Sequence, residues 1–251
     1  MSDGIAATRD VRWLSGLRVL VTGAGGVLGG SLVVEAEHRG ATVVASGRGP
    51  TLDDAALPDV AIRVAADLRD PEECRWLVHE AARRMGGIDV VINNAATLVR
   101  KEFRQLELDD LESAWQVNLR APALIMQESF EYLRGARMPA IVNLVSTAGI
   151  SGGIASVSAY GMSKAGLIVL TKAVAREYGA HGIRVFALSP PTLASPLQGA
   201  LSDADRDRVR GMNVLGVDAT PEEVARFTLL AATGLGGLVT GTTIDLTAIA
   251  Y

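Results

Sequence analysis

The chain has 251 residues, with 24 Lys plus Arg against 28 Asp plus Glu and a formal charge of -4; the basic residues are scattered, so there is no electrostatic footprint for nucleic acid or an anionic membrane. One cysteine, Cys74, precludes an intrachain disulfide, and with the three histidines far apart at His38, His79 and His181 it leaves no ligand cluster for a metal. No apolar run reaches the roughly 20 residues of a bilayer span and no basic-then-apolar leader precedes the first strand, so a soluble, cytoplasmic protein of one domain, 1–251, is expected.

Residues 1–16 are polar and irregular. Arg18 to Thr22 (RVLVT) then reads as a short strand running into Gly23-Ala24-Gly25-Gly26-Val27-Leu28-Gly29-Gly30, a strand, tight turn and helix start in succession. Residues 42–46 form a second strand and 60–66 a weaker third. Asp70-Pro71-Glu72-Glu73 supplies a capping residue, a proline at the first helical position and an acid at the third, opening a helix to about Met85. A fourth strand follows at 88–93, a long helical stretch at 109–133, a fifth strand at 140–145, a second long helix at 158–179 and a sixth strand at 183–188. The mixed segment 190–217 is expected to form a loop with short helices, acting as a substrate lid. Thr220-Pro221-Glu222-Glu223 repeats the start signal for a helix to Ala232, and 243–246 is the seventh strand. Seven short apolar strands alternating mostly with helices predict a parallel sheet covered on both faces, a three-layer α/β/α sandwich with right-handed connections.

In such a sheet, ligands bind at the carboxyl ends of the strands. The turn after the first strand offers backbone close to phosphate oxygens and a helix N-terminus aimed at their charge. Gly23, Gly26 and Gly29 are spaced three apart, a spacing that resembles the TGxxGxxG fingerprint of extended short-chain dehydrogenases; the commoner TGxxxGxG would put glycine where Val27 stands. The second strand ends Ser46-Gly47-Arg48. With Gly47 where an acid would accept a ribose 2'-hydroxyl, and the donor fork of Arg48 beside it, NADP(H) is expected over NAD(H), with NAD(H) kept open; otherwise Arg48 merely reaches solvent. Asp67-Leu68 at the third strand end would flank adenine, Asp67 accepting from its amino group. Asn93-Asn94-Ala95-Ala96 ends the fourth strand at the same edge.

Tyr160 and Lys164 lie four apart in SAYGMSKAG, on one face of a helix. A nearby ammonium stabilises phenolate, so the tyrosine can exchange a proton with a substrate oxygen. Ser146, closing the fifth strand, could converge on the same oxygen or serve only as a turn residue. Taken in order, the glycine turn at 22–29, Asn93-Asn94-Ala95-Ala96, Asn118, Ser146, Tyr160-x-x-x-Lys164 and Gly182-Ile183-Arg184-Val185 resemble a classical short-chain dehydrogenase/reductase over nearly the whole chain. The resemblance implies a Rossmann-like fold and a secondary alcohol and ketone oxidoreductase, working towards reduction with NADPH. It assigns Tyr160 as general acid or base, Lys164 as the group that lowers its pKa and holds the nicotinamide ribose, Ser146 as the residue orienting the carbonyl, and Asn118 as support for a water and backbone proton relay. It places the cofactor on Thr22, Gly23, Gly26, Leu28, Gly29, Arg48, Asp67, Leu68, Asn94, Ala95, Ala96, Tyr160, Lys164, Pro190, Thr192 and Ser195, the last of these contacting the carboxamide. It also implies a homotetramer assembled through the helices at 111–133 and 160–178.

The chain departs from the family pattern at several positions. Val27 replaces a glycine, Phe186 an asparagine, Pro190-Pro191 the usual Pro-Gly, and Asp245-Leu246-Thr247 the usual Asp-Gly-Gly; the interval from Ser146 to Tyr160 is one residue longer than usual, which a small loop insertion at 149–156 could absorb. None removes a reacting group, which favours an active enzyme over a noncatalytic nucleotide-binding or regulatory protein; an enzyme of the same fold acting on an enone or another atypical substrate is the further alternative. The substrate wall is expected at 97–103, 149–157 and 192–214, an apolar lining with few aromatics suited to a medium-sized, partly apolar carbonyl compound or alcohol.

Overall fold

A computed structural model describes residues 12–193, 219–233 and 237–246. Strands β1 (Arg18–Thr22), β2 (Thr42–Gly47), β3 (Ile62–Ala65), β4 (Val90–Asn93), β5 (Ala140–Leu144), β6 (Arg184–Ser189) and β7 (Thr243–Asp245) form one seven-stranded sheet in the order β3-β2-β1-β4-β5-β6-β7. Every pairing is parallel. The order reverses between β1 and β4, which opens a crevice outside their carboxyl ends.

Alternation along the strands divides the core in two. Val19 and Val21 of β1, Val90 and Ile92 of β4 and Val142 and Leu144 of β5 face helices α1 (Val27–His38) and α8 (Pro221–Ala232). Leu20, Val91, Ile141 and Val185 point the other way, onto α3 (Pro71–Met85), α5 (Ala121–Leu133) and α7 (Ser158–Tyr178). Phe186, standing at the family's asparagine position, is fully buried in the first of these clusters.

Both sequence start signals operate. Asp70 accepts from the Glu72 N–H at 2.8 Å ahead of α3, and Thr220 and Glu223 form a reciprocal capping box on α8. The expected single helix over 109–133 is corrected: α4 (Leu108–Trp115) passes into a π-helical turn, Gln116–Arg120, before α5. Two short helices, α2 (Gly49–Asp53) and α6 (Ala148–Ser151), occupy stretches read as connections. The segment 194–217 lies outside the described residues, and with it Ser195 and most of the expected lid.

At the amino edge Asp89 gathers β1 and β4. It accepts from the Arg18 N–H at 2.9 Å, from Arg18 Nε at 2.8 Å and Nη2 at 3.0 Å, and from the Arg137 N–H at 3.3 Å. Burial alone would raise this carboxyl, and the hydrogen bonds from Arg18 more than reverse it, holding it below the usual aspartate range. Its contribution is therefore present above that range and lost as the pH falls through the lowered value. Asp89→Ala is expected to destabilise by about 2 kcal/mol, because it strands partly buried donors; urea unfolding at pH 7 checks this, and the gap between wild type and variant should narrow towards pH 3.

Candidate active site

The turn between β1 and α1 is fixed by close backbone approach. Gly23 has φ +67°, and a Cβ there would lie 2.7 Å from Ala95 Cα; at Gly29 a Cβ would run into the Gly23 carbonyl. Gly26 is different, its Cβ meeting only the Gly23 oxygen at 3.4 Å. It is the N-cap of α1, with no side-chain cap and no acid in the first turn. By contrast α3, α4 and α8 are each capped by their own side chains and carry acids there. The first N–H groups of α1 are thus left for an anion. Val27 is partly exposed at the start of the helix, and Leu28 packs against the α1 side of the core.

Thr22 and Asn94 work inward. The buried Thr22 hydroxyl accepts from the N–H groups of Asn94 at 3.0 Å and Ala95 at 3.1 Å, while Asn94 Nδ2 donates to the carbonyls of Thr22 at 2.9 Å and Gly23 at 3.1 Å. Ala96 follows, half-buried, on the way to Thr97. Beyond β2 and β3 a cleft of about 280 Å³ is lined by Arg48, Gly49, Ala65, Ala66, Asp67 and Glu73. Sequence reasoning missed Glu73, whose carboxylate accepts from the Asp67 N–H at 2.7 Å. Asp67 itself is held by Arg69 through Nε at 3.0 Å and Nη2 at 2.5 Å. These bonds pull its carboxyl below the ordinary value, and the charge of Arg48 adds to the effect. Leu68 turns into the core, its carbonyl accepting from the Cys74 thiol at 3.4 Å.

At the reacting end, β5 delivers Ser146 and α7 delivers Tyr160 and Lys164. A buried chain braces the two elements: Asn93 Nδ2 donates to Asn143 Oδ1 at 2.8 Å, Asn143 Nδ2 to Thr171 Oγ1 at 2.9 Å, and Thr171 to the Leu167 carbonyl at 2.6 Å. Ser146 accepts from the Ala148 N–H at 3.1 Å and stands close enough to the Tyr160 phenol to favour its ionised form. Lys164, 2% exposed, donates to the Leu144 carbonyl at 2.7 Å and lies 5.8 Å from the centre of the Tyr160 ring. Burial raises the phenol pKa, opposed by the Ser146 hydroxyl, and lowers the Lys164 pKa to about 8. Within the protein alone, then, the phenol stays above its ordinary value with Lys164 close by.

Asn118 sits in the π turn, fully buried. Its Oδ1 accepts from the Thr97 N–H at 2.8 Å; its Nδ2 donates to the Thr97 carbonyl at 2.9 Å and to Ser163 Oγ at 3.0 Å. Ser163 in turn donates to the Tyr160 carbonyl at 2.8 Å. Sequence reasoning missed Thr97 and Ser163 as partners, although Ser163 stands between Tyr160 and Lys164. Between Ser146 and Tyr160 the chain passes through α6, through Gly152 and Gly153 at φ +87° and +72°, and through Ser156, the only non-glycine with positive φ among the described residues, at +67°. Pro190 and Thr192 follow β6 on the same edge, half-buried and exposed respectively.

These features define a doubly wound α/β protein whose ligand edge lies at the strand carboxyl ends. A family model described as enoyl-(acyl carrier protein) reductase matches residues 24–247. Curated relatives include the 3-oxoacyl-(acyl-carrier-protein) reductase FabG of Aquifex aeolicus, 29% identical over 93% of this chain and 96% of that protein. The L-xylulose reductase of Bos taurus is 32% identical over 94% and 97%. A short chain dehydrogenase from Burkholderia cenocepacia, solved in complex with NADP, superposes with a TM-score of 0.84 at 25% identity, covering 94% of this chain and 98% of that one. The chain belongs to the short-chain dehydrogenase/reductase family of oxidoreductases.

The buried lysine carries a stability cost with a definite sign. With its pKa lowered from 10.5 to about 8, the unfolded chain binds more protons between those values, so the cost is full below pH 8 and fades as the pH rises towards 10.5. Lys164→Met, measured without cofactor, is expected to melt at or above wild type at pH 7 and to lose that advantage near pH 10; a kcal/mol corresponds to about 2–4 °C at this chain length. Calorimetry across that pH range checks it, and a variant clearly less stable at pH 7 would contradict it.

Proposed function

We propose that the protein is an NADP(H)-dependent oxidoreductase that interconverts a ketone and a secondary alcohol, working in the reductive direction. The observation that carries this reading is the juxtaposition of the Tyr160 phenol with Ser146 and, 5.8 Å from its ring centre, with the buried Lys164. Relatives named as 3-oxoacyl-(acyl-carrier-protein) and L-xylulose reductases, and the neighbour solved with NADP, support the direction and the cofactor.

The residues present fit a dinucleotide. Gly26 and the uncapped start of α1 would receive the pyrophosphate, Arg48 on the lined cleft a 2'-phosphate, and Lys164 the nicotinamide ribose. When bound, the nicotinamide supplies the hydride. Tyr160 donates its proton to the substrate oxygen as negative charge develops there, and Ser146 orients that oxygen by a second hydrogen bond. The Lys164 ammonium stabilises the phenolate left behind. Asn118 acts as a positioning residue: both donors of its amide are committed to protein groups, leaving one Oδ1 lone pair for a relay water. Self-association through α4 and α7 is part of the same reading. Trp115, Met162 and Val169 are 49%, 54% and 67% exposed there, and Met162 and Val169 lie seven apart on one face of α7.

Tyr160→Phe is expected to lower kcat by about 10²–10⁴-fold while the NADPH Kd stays near wild type, as read by stopped-flow turnover and cofactor fluorescence. Arg48→Ala should weaken NADPH about tenfold with little change for NADH, the loss expected of a charged hydrogen bond; equal loss for both would move the 2'-phosphate contact elsewhere. Sedimentation at working concentration should show an oligomer, with monomer alone contradicting the association.

A further inference from the structure

Building on the proposed carbonyl chemistry, the segment between β4 and α4 carries information on the substrate itself. It contains three cations within five residues, Arg100, Lys101 and Arg104. Two are neutralised locally: Lys101 pairs with Asp110 at 2.7 Å and Glu107 at 3.7 Å, and Arg104 with Glu102 at 2.9 Å. Arg100 has neither a hydrogen bond nor an ion pair among the described residues, and its Nε is buried without a partner. A buried Nε donor with no acceptor is costly to hold, and an oxyanion that meets it together with an adjacent Nη would satisfy it best.

The segment is also braced against the reacting end. Thr97 is gripped at both its N–H and its carbonyl by Asn118. The Lys101 N–H donates to the Ser156 carbonyl at 3.1 Å, so the peptide joining Arg100 to Lys101 lies against the residue four before Tyr160. Arg100 is thus mounted between two fixed points, beside the loop that leads into the Tyr160 helix. Its place is on the other side of the carboxyl edge from the cleft lined by Arg48 and Asp67, which argues against a role for it on the cofactor's adenosine phosphate.

We propose that Arg100 anchors an anionic group, a carboxylate or a phosphate ester, carried by the carbonyl substrate. The preferred substrates are then oxo acids or keto phosphates over their neutral counterparts.

The test reads binding separately from turnover. Protein loaded with oxidised NADP, which cannot reduce a ketone, is titrated with 5-oxohexanoate and its methyl ester, and with dihydroxyacetone phosphate and dihydroxyacetone, in wild type, Arg100→Gln, Arg100→Lys and Lys101→Gln. Wild type is expected to bind at least one of the two anions about tenfold or more tighter than its neutral partner. The pair showing this preference distinguishes carboxylate from phosphate. Arg100→Gln should abolish the preference, Arg100→Lys should restore part of it, and Lys101→Gln should keep it. No preference in wild type, a preference surviving in Arg100→Gln, or equal loss in Lys101→Gln would each overturn the proposal. Turnover with NADPH is scored on its own: an Arg100-dependent preference without reduction of any of the four carbonyls would overturn the ketone-reductase reading and leave the anion anchor standing.

Discussion

The tie between the ends of β1 and β4 is the constraint on which the carboxyl edge depends. The side chains of Thr22 and Asn94 make four hydrogen bonds across the strand ends, to the backbone of Thr22, Gly23, Asn94 and Ala95, where the ladder between the two strands stops. Past that point parallel strands have nothing to hold their exits together, and here the connections run to opposite faces of the sheet. The tie makes the glycine turn and the approach to Thr97 leave the sheet as one unit. It also explains the lack of room at Gly23 and Gly29, since each would place a Cβ against the tied backbone or the Asn94 amide. The cost of two polar side chains near the core is offset because nearly every donor and acceptor they bring is used.

A second brace serves the reacting side. The chain from Asn93 through Asn143 to Thr171 crosses from β4 to β5 and into α7, fixing the helix against the strand that presents Ser146. Lys164 reaches the Leu144 carbonyl, and Ser146 the phenol, because the register between β5 and α7 is set from below. Burial then acts on Tyr160 and Lys164 in the same chemical sense: it favours the neutral phenol and the neutral amine, moving their pKa values in opposite directions. With Lys164 buried and Tyr160 half-buried, charge developing on them is felt more strongly than in water.

Much of this architecture is legible in local chemistry. Strand positions follow from short β-rich runs, and the starts of α3 and α8 from Asp70-Pro71 and Thr220-Pro221, because capping is decided within four residues. The π turn was not legible: Ala114, Ala121 and Ile125 continue an ordinary helical pattern across it, and the extra residue is accommodated by Asn118 bonding to Thr97, a partner 21 residues away. Asp67 reads from sequence as a free acceptor at a strand end, yet Arg69 folds back on it. The convergence of Ser146, Tyr160 and Lys164 was legible as spacing and family pattern, whereas the Leu144 carbonyl that receives the ammonium has no side-chain signature. Arg100 and Lys101 look alike in sequence; only the fold decides that one is neutralised and its neighbour is not.

Asn118 does more than occupy a turn. With one carbonyl and one amide nitrogen, its side chain offers Thr97 the same acceptor and donor that a neighbouring strand would offer through its backbone. The helix therefore pairs with the loop as though it contributed a single residue of β-sheet. An aspartate in place of Asn118 would offer only acceptors, and a leucine neither, so the carboxamide is the side chain that can stand in for a peptide group there.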